Sequence, residues 1–307
     1  MRLGPGIVCA VLAAGAFAQT RPPITGVAHI ALFVKDVEKA RWFYKDFLGY
    51  QEPFQLNAAD GKLSLTFIKV NERQYVELFP EREAGTDRLN HISIETTDAE
   101  AMRVYLKAKG VVVPASVPKG RIGNSNFNIK DPDGHTVEIV QYERAGWSRR
   151  ETGKFLGTRR ISDRMLHLGI IVGSTEKSMA FYRDMLGFRE IWRGSRDGKV
   201  LSWINMKVPD GDDYIEFMLY DKMPAADRLG TLHHICLETP DLAAAVADLE
   251  KRPARKQYDR TLEIRTGTNR KRQCNLYDPD GTRVELMEPR TVDGVPAPWA
   301  TAPPPVP

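Results

Sequence analysis

Residues 29–50 read HIALFVKDVEKARWFYKDFLGY, and residues 167–188 read HLGIIVGSTEKSMAFYRDMLGF. The two stretches share the string F-Y-[K/R]-D-x-L-G-[Y/F] at a constant offset of 138 residues. Alternating apolar residues predict a strand that ends near Val34 or Val172, and the apolar spacing after it predicts a helix. The glycine of the shared string then ends each helix. The chain is therefore built on an internal repeat.

A second pair of related stretches follows the first pair along the chain. Residues 89–97 read LNHISIETT and residues 232–240 read LHHICLETP, and each precedes a predicted helix. Each of these units closes on Asp-Pro-Asp-Gly and a strand, at 131–140 and 278–287, because Pro presets φ and Gly supplies a positive φ for a turn. The chain thus contains four modules, each predicted as a strand, a helix and three strands: residues 24–84, 85–145, 162–224 and 228–290.

These modules predict an α+β fold with two domains. One βαβββ module buries too little apolar surface to fold alone. Two modules side by side pair into one curved, mostly antiparallel sheet with helices outside, which predicts domains at residues 24–145 and 162–290. Residues 146–161 are polar and basic and are predicted to link the two domains. The Pro/Ala-rich tail at 291–307 is predicted to be extended or disordered.

Composition limits the partners of the chain. The 307 residues carry a formal net charge of +4, with 42% hydrophobic residues. Such a small charge implies no obligatory nucleic-acid or membrane partner. A small molecule is the expected partner, and a monomer and a homodimer both fit, since the modules pair within the chain. Cys236 and Cys274 allow one disulfide, but two buried free thiols are the favoured interpretation.

The N-terminal segment resembles a secretory signal peptide. Arg2 is the single charged residue among residues 1–18, an apolar run follows, and Ala16-Phe17-Ala18 has the small-x-small form that signal peptidase cuts. A buried N-terminal helix is the alternative, but the Pro-containing stretch after Thr20 breaks structure at once. The sequence predicts an exported protein, periplasmic or extracellular, that is cleaved near Ala18.

Each module carries one histidine and one glutamate at matched places. The histidines begin the first strands, and the glutamates lie between apolar neighbours in the last strands, with separations of 47 to 51 residues. Because alternate residues of a strand face opposite sides, both types of side chain should point into the concave face of the sheet. The pairs, in chain order, are His29 with Glu77, His91 with Glu138, His167 with Glu216, and His234 with Glu285.

The histidines and glutamates predict metal binding. A carboxylate buried on the concave face is costly unless it is paired or bound to a metal. Strand-end capping and ion pairing would explain any single pair, but the fourfold repetition favours metal sites. Two His and two Glu per half suit a divalent ion such as Zn²⁺, Ni²⁺, Co²⁺, Fe²⁺ or Mn²⁺, without distinguishing among them.

The four-module plan, the His-headed strands, FYKDFLGY, FYRDMLGF and DPDG-x-x-VE resemble the vicinal-oxygen-chelate superfamily. This superfamily includes glyoxalase I, extradiol dioxygenases, methylmalonyl-CoA epimerase and bleomycin resistance proteins. The resemblance covers residues 24–290. It implies a divalent metal held by one His and one Glu from each of two paired modules, and two open positions for the vicinal oxygens of a substrate.

A glyoxalase-like lyase or isomerase is the favoured reaction class. The metal would act as a Lewis acid on an enediolate, and a glutamate of the site would move the proton. By resemblance Glu138 and Glu285 are the expected bases, although either could act only as a ligand. Glutathione is mainly a cytosolic thiol, so an exported chain is expected to use another substrate.

The sequence is also compatible with two other functions. A non-haem Fe(II) dioxygenase would use two His and one Glu, but the aligned positions of its usual Tyr hold Asn128 and Asn275, which disfavours catechol ring cleavage. A small-molecule-binding protein of the bleomycin resistance type would need no metal ligands. Asn126 with Asn128, and Gln273 with Asn275, should face the concave side, where they would bind a polar substrate or satisfy backbone groups at strand ends.

Overall fold

The computed structural model describes residues 20–83, 87–225, 229 and 232–306. The signal segment predicted at residues 1–18 lies outside them. The described residues form two curled mixed sheets of seven and eight strands with helices packed against them, so the predicted α+β class is confirmed. No helix in these described ranges is long and apolar enough to cross a membrane.

The first sheet has the strand order β2-β3-β4-β1-β5-β7-β6. Its central strands, β1 and β5, are antiparallel to each other, and each pairs in parallel with the last strand of its own module. The strands are β1 (Ile24–Val34), β2 (Gln51–Asn57), β3 (Leu63–Lys69), β4 (Tyr75–Pro80), β5 (Leu89–Thr96), β6 (Ser125–Lys130) and β7 (Thr136–Gln141).

The second sheet has the order β13-β14-β15-β12-β8-β11-β10-β9 and repeats the same central arrangement with β8 and β12. Its strands are β8 (Met165–Val172), β9 (Arg189–Gly194), β10 (Trp203–Lys207), β11 (Tyr214–Leu219), β12 (His234–Glu238), β13 (Ile264–Thr266), β14 (Lys271–Tyr277) and β15 (Arg283–Thr291).

The helices lie between the strands of each module and in the linker. They are α1 (Val37–Arg41), α2 (Ala99–Ala108), α3 (Trp147–Arg150), α4 (Thr175–Met179) and α5 (Leu242–Lys251). The repeated string continues α1 and α4 as π-helix, at Trp42–Phe47 and Ala180–Met185, and a 3₁₀ turn at Pro253–Gln257 follows α5. Gly49 and Gly187 follow the π-helices with φ of +83° and +79°, as the sequence predicts for helix ends.

The second module has one strand fewer than the sequence predicts. After α2 it forms only β6 and β7, and the preceding residues make a single isolated bridge from Lys119 to Ser125. Pro114 and Pro118 fall in this stretch, and proline has no N–H to donate to a ladder.

One continuous apolar core joins the two halves of the chain. Phe47, at the end of the first π-helix, stacks on Tyr258 of the other half at a ring distance of 4.7 Å. The C-terminal tail is extended and runs along the second sheet, where Ala300 N donates to Arg193 O at 3.1 Å. Cys236 and Cys274 are buried free thiols, as favoured from the sequence.

Candidate metal centres

The pairing of the strands brings two histidines and two glutamates together on the concave face of each sheet. Residues that pair across three adjacent strands form a row on this face. Each row has a histidine on one outer strand, a glutamate on the other, and one small residue on the strand between them. In the first sheet the rows are His91–Ala31–Glu77 and His29–Ser93–Glu138. In the second sheet they are His234–Gly169–Glu216 and His167–Cys236–Glu285. We call these two concave faces the first cup and the second cup.

The four side chains of the first cup converge on one point. The Nε2 atoms of His29 and His91 lie 3.0 Å apart. Glu77 approaches them from one side, with oxygens 3.7 and 3.8 Å from the two nitrogens, and Glu138 lies 3.6 Å from both. All four side chains are buried. Asn90 Oδ1 lies 3.1 Å from His91 Nδ1, which favours a proton on Nδ1 and a free lone pair on Nε2.

The second cup repeats this arrangement. The Nε2 atoms of His167 and His234 are also 3.0 Å apart. Glu285 lies 3.5 and 3.6 Å from these nitrogens, and Glu216 lies 4.0 Å from His167 and 3.3 Å from His234. Tyr214 stacks on the His167 ring at 4.5 Å and fixes its plane.

Burial controls the protonation of these groups. It lowers the pKa of His29, His167 and His234 well below the ordinary value and that of His91 to about 4, so the imidazoles are neutral at pH 7. Neutral imidazole is the form that binds a metal. Burial also raises the pKa of Glu77 well above its ordinary value, and raises the pKa of Glu138 and Glu285 to about 7.

Both donor sets fit a divalent cation. Two nitrogens bound to one ion at about 2.1 Å and at a right angle lie about 3 Å apart, which is the separation in both cups. Within the part of the chain that the structure describes, none of the four glutamates forms an ion pair with Lys or Arg, so a bound divalent cation would supply the counter-charge of their ionised carboxylates. Two trios have ligand atoms within 4.8 Å of one another: His29, Glu77 and His91, and His167, His234 and Glu285.

The two cups differ in the space above the ligands. The cavity of the first cup measures about 30 Å³, the room of one water molecule, because Phe67, Tyr75 and Tyr142 fill it and α3 adds Ser148 to its wall. Lys69 is fully buried and donates from Nζ to backbone oxygens just after α3, which holds that helix in place. The cavity of the second cup measures about 580 Å³ and includes Glu216 and Glu285 in its wall.

Three of the four polar residues predicted to face the cups line a cavity, and one does not. Gln273 and Asn275 line the second cavity, and Asn275 Oδ1 is buried without a hydrogen-bond partner among the described residues. Asn126 lines the small first cavity, next to Glu138. Asn128 is exposed at the edge strand and lies outside that cavity lining. Substrate binding by these residues stays a prediction.

Sequence reasoning missed Arg283, which contributes to the second cavity. Its Nη2 lies 2.7 Å from His234 Nδ1, and its Nε is buried without a hydrogen-bond partner among the described residues. The signal was present, since Arg283 stands two positions before Glu285 in one strand and therefore shares its face. Thr136 is the matching residue two positions before Glu138.

Comparison with known proteins agrees with this architecture. The family description "Glyoxalase/Bleomycin resistance protein/Dioxygenase superfamily" matches residues 26–139 and 164–286. The mitochondrial methylmalonyl-CoA epimerase of Mus musculus is 30% identical over 136 residues, which cover 41% of this chain and 72% of the epimerase.

Two solved structures share the fold of nearly the whole chain. The 2,3-dioxygenase LapB from Pseudomonas sp. KL28 is 17% identical with a TM-score of 0.68, covering 91% of this chain and 98% of its own. The Mn(II)-bound glyoxalase from Novosphingobium aromaticivorans is 17% identical with a TM-score of 0.67, covering 92% of this chain and 88% of its own. The matched family therefore spans both halves of the molecule, and the chain belongs to the glyoxalase, bleomycin resistance protein and dioxygenase superfamily.

Proposed function

We propose that this protein is an exported, metal-dependent lyase or isomerase that acts in its second cup on a small substrate with two vicinal oxygens. One observation carries the proposal: Glu216 and Glu285 line a cavity of about 580 Å³, and the Nε2 atoms of His167 and His234 lie 3.3 to 4.0 Å behind their carboxylate oxygens. A cavity of this size accommodates a small organic molecule, and buried donors beside it are what a catalytic metal requires.

The residues of the second cup have different proposed roles. His167 and His234 would hold the divalent ion through Nε2, with Glu216 as a further ligand. When bound, this ion supplies Lewis-acid stabilisation of the negative charge that develops on the substrate oxygens. Gln273 and Asn275, which line the cavity, would orient the oxygens of the substrate.

Glu285 is the proposed base. In the metal-free chain burial raises the pKa of its carboxyl to about 7, and a bound cation would lower this pKa and favour the carboxylate form that a base needs. Its carboxylate oxygen would remove a proton from one substrate carbon and return it to the neighbouring carbon. The proton and the electron pair balance within the substrate, so no oxidant or reductant is needed.

The first cup is proposed to hold a metal without turning over a substrate. Its ligand set matches the second cup, but its cavity of about 30 Å³ admits no organic molecule. A metal there would stabilise the first half of the chain by neutralising Glu77 and Glu138.

A non-haem Fe(II) dioxygenase is the second candidate. The favouring observation is the trio His167, His234 and Glu285, whose ligand atoms lie within 4.8 Å of one another. Isomerisation is preferred because Glu216, 3.3 Å from His234 Nε2, completes a four-ligand set.

Separate loading with Zn²⁺, Ni²⁺, Mn²⁺ and Fe²⁺ tests the proposal. A panel of 2-hydroxy ketones and 2-oxoaldehydes in D₂O is followed by proton NMR for exchange at carbon, with oxygen uptake recorded in parallel. Exchange without oxygen uptake supports the isomerase, and Glu285→Gln should lower it by about 100-fold or more, well beyond the effect of Glu138→Gln. Oxygen uptake with Fe²⁺ alone would favour the dioxygenase.

Export is tested on the N terminus of the protein recovered from cells. A mature chain that begins near Gln19 and is recovered outside the cytoplasm supports it. A chain that retains Met1 in the cytoplasm would contradict it.

A further inference from the structure

The second cup carries an excess of positive charge that metal binding does not explain. Its cavity wall includes four arginines, of which Arg265 is ion-paired with Glu263. The other three, Arg196, Arg260 and Arg283, form no ion pair with a carboxylate among the described residues. No Lys or Arg lines the cavity of the first cup.

Two of these arginines are held by aromatic rings. Arg260 lies over Tyr277, with its guanidinium carbon 4.5 Å from the ring centroid, and Arg196 lies over Trp203 at 5.5 Å. A guanidinium stacked on a ring keeps its N–H edge free to bind an anion. These two groups therefore give the cavity mouth a fixed positive potential that favours negatively charged ligands.

Arg283 lies deeper and closer to the metal ligands. Its Nη2 atom is 2.7 Å from His234 Nδ1, while Leu232 O lies 3.2 Å from the same nitrogen. A guanidinium only donates, so it needs a lone pair on Nδ1, whereas the carbonyl of Leu232 needs an N–H there. One nitrogen cannot satisfy both partners at the same time.

Metal binding would decide which of the two partners His234 Nδ1 bonds. When Nε2 of His234 gives its lone pair to a cation, the neutral ring carries its proton on Nδ1 and donates it to Leu232 O. Arg283 then loses its partner in the wall of the cavity, where the residue is half-buried and its buried Nε already lacks a partner among the described residues. A half-buried guanidinium whose N–H groups lack a protein partner favours binding of an anion.

We propose that the second cup selects a substrate that carries an anionic oxygen group, and that Arg283 is the residue that binds this group once His234 binds the metal. This inference rests on the proposed function, because it assigns the substrate class of the same site. Arg283 is thus a specificity residue as well as a link between cation and anion binding. Reciprocity of linkage requires that the metal tighten anion binding and that the anion tighten metal binding to the same extent.

Three probes test the inference by binding alone. Lactate carries vicinal oxygens and a negative charge, lactamide is its neutral analogue of similar size, and methyl phosphate is an anion of the other common class. Trp192 and Trp203 line the cavity, so the change in intrinsic tryptophan fluorescence reports binding in the full mature chain. Each titration is run on metal-free and on Zn²⁺-loaded protein.

The expected result is that lactate or methyl phosphate binds Zn²⁺-loaded protein at least about tenfold more tightly than lactamide. The preferred anion identifies the group as carboxylate or phosphate. Zn²⁺ should tighten its binding by about fivefold or more, and Arg283→Gln should lower the preference by about fivefold or more and weaken this coupling, leaving the part that direct contact of the anion with the metal supplies. Arg283→Lys should retain part of the preference, since it keeps the charge and loses the fork.

Arg290→Gln is the matched control, because Arg290 lies in the same strand, is exposed and is outside the cavity wall. Equal binding of lactate and lactamide, or a preference that is undiminished in an Arg283→Gln variant with the unfolding temperature of the wild type, would overturn the inference. These binding results do not depend on turnover. A chain that exchanges no substrate proton but keeps the Arg283-dependent preference would contradict the isomerase proposal alone.

Discussion

Tyr182 donates a hydrogen bond of 3.0 Å from its hydroxyl to Asp131 Oδ2, which ties the repeated helical string of one half to the Asp-Pro-Asp-Gly turn of the other half. The reciprocal pair, Tyr44 and Asp278, is longer at 3.4 Å. Both tyrosines are buried, so the two contacts secure the halves against each other.

Tyr182→Phe should therefore destabilise the protein. The hydroxyl bonds a buried carboxylate, and hydrogen bonds to charged groups contribute about 1.5–3 kcal/mol. The free energy of unfolding in urea should fall by about 2 kcal/mol. Tyr44→Phe is the matched control and should cost less, because its hydrogen bond is longer. Equal losses in the two variants would contradict this relationship.

Gly169→Ala should disable the second metal centre without unfolding the chain. A Cβ at this position would lie 1.8 Å from His234 Cε1, so the ring must leave its place. We expect metal binding to the second cup to weaken by about 100-fold, as for loss of a ligand's support. The measurement is a competitive titration with a colorimetric chelator. Gly120→Ala, whose Cβ would meet nothing nearer than 3.5 Å, should keep the wild-type affinity.

Asp278→Asn should change how stability depends on pH. Burial raises the pKa of Asp278 from 3.8 to about 7, so between these values the folded chain binds a proton that the unfolded chain releases. The contribution of this residue is therefore complete below pH 4 and is lost as the pH rises to 7, to the extent of about 4 kcal/mol.

Unfolding of metal-free wild type and Asp278→Asn at a series of pH values measures this effect. Since all other titrating groups are shared, the difference between the two proteins isolates Asp278. The variant should gain stability relative to wild type as the pH rises from 4 to 7. A difference that is constant over this range would refute the raised pKa.

Tyr142→Ala should open the first cup. Tyr142 lines its small cavity and donates from its hydroxyl to Arg73 O at 2.8 Å. Its removal should cost about 2 kcal/mol or more of stability and speed release of the first metal to a chelator by about tenfold. Tyr277→Ala is the control, because Tyr277 lines a cavity that is already open. Unchanged release from the first cup would mean that Tyr142 does not close it.

Much of the architecture could be predicted from the periodicity and the spacing of residues in the sequence. The period of two in HIALFV and VEIV put His29 and Glu138 on one face, and the Asp-Pro-Asp-Gly turns predicted the hairpins β6–β7 and β14–β15. These are local properties of the sequence, and the internal repeat shows each of them more than once. The convergence of the four donors then followed from strand pairing alone.

Three features were not predicted from the sequence. The missing strand of the second module depends on where two prolines fall against a neighbouring edge. Closure of the first cup depends on the volumes of Tyr142 and Phe67, which are far apart in the chain. The spacing from Glu285 predicts the face on which Arg283 lies, but its contact with His234 depends on the register in which β12 pairs with β15.

The most direct test of the two metal centres is the metal content of the purified chain after loading with each divalent ion and removal of excess. Elemental analysis should find about two equivalents per chain, with one lost in His29→Ala/His91→Ala and the other lost in His167→Ala/His234→Ala. Retention of no divalent ion by correctly folded wild type would contradict the account, because the converging histidines and glutamates would then not be metal ligands.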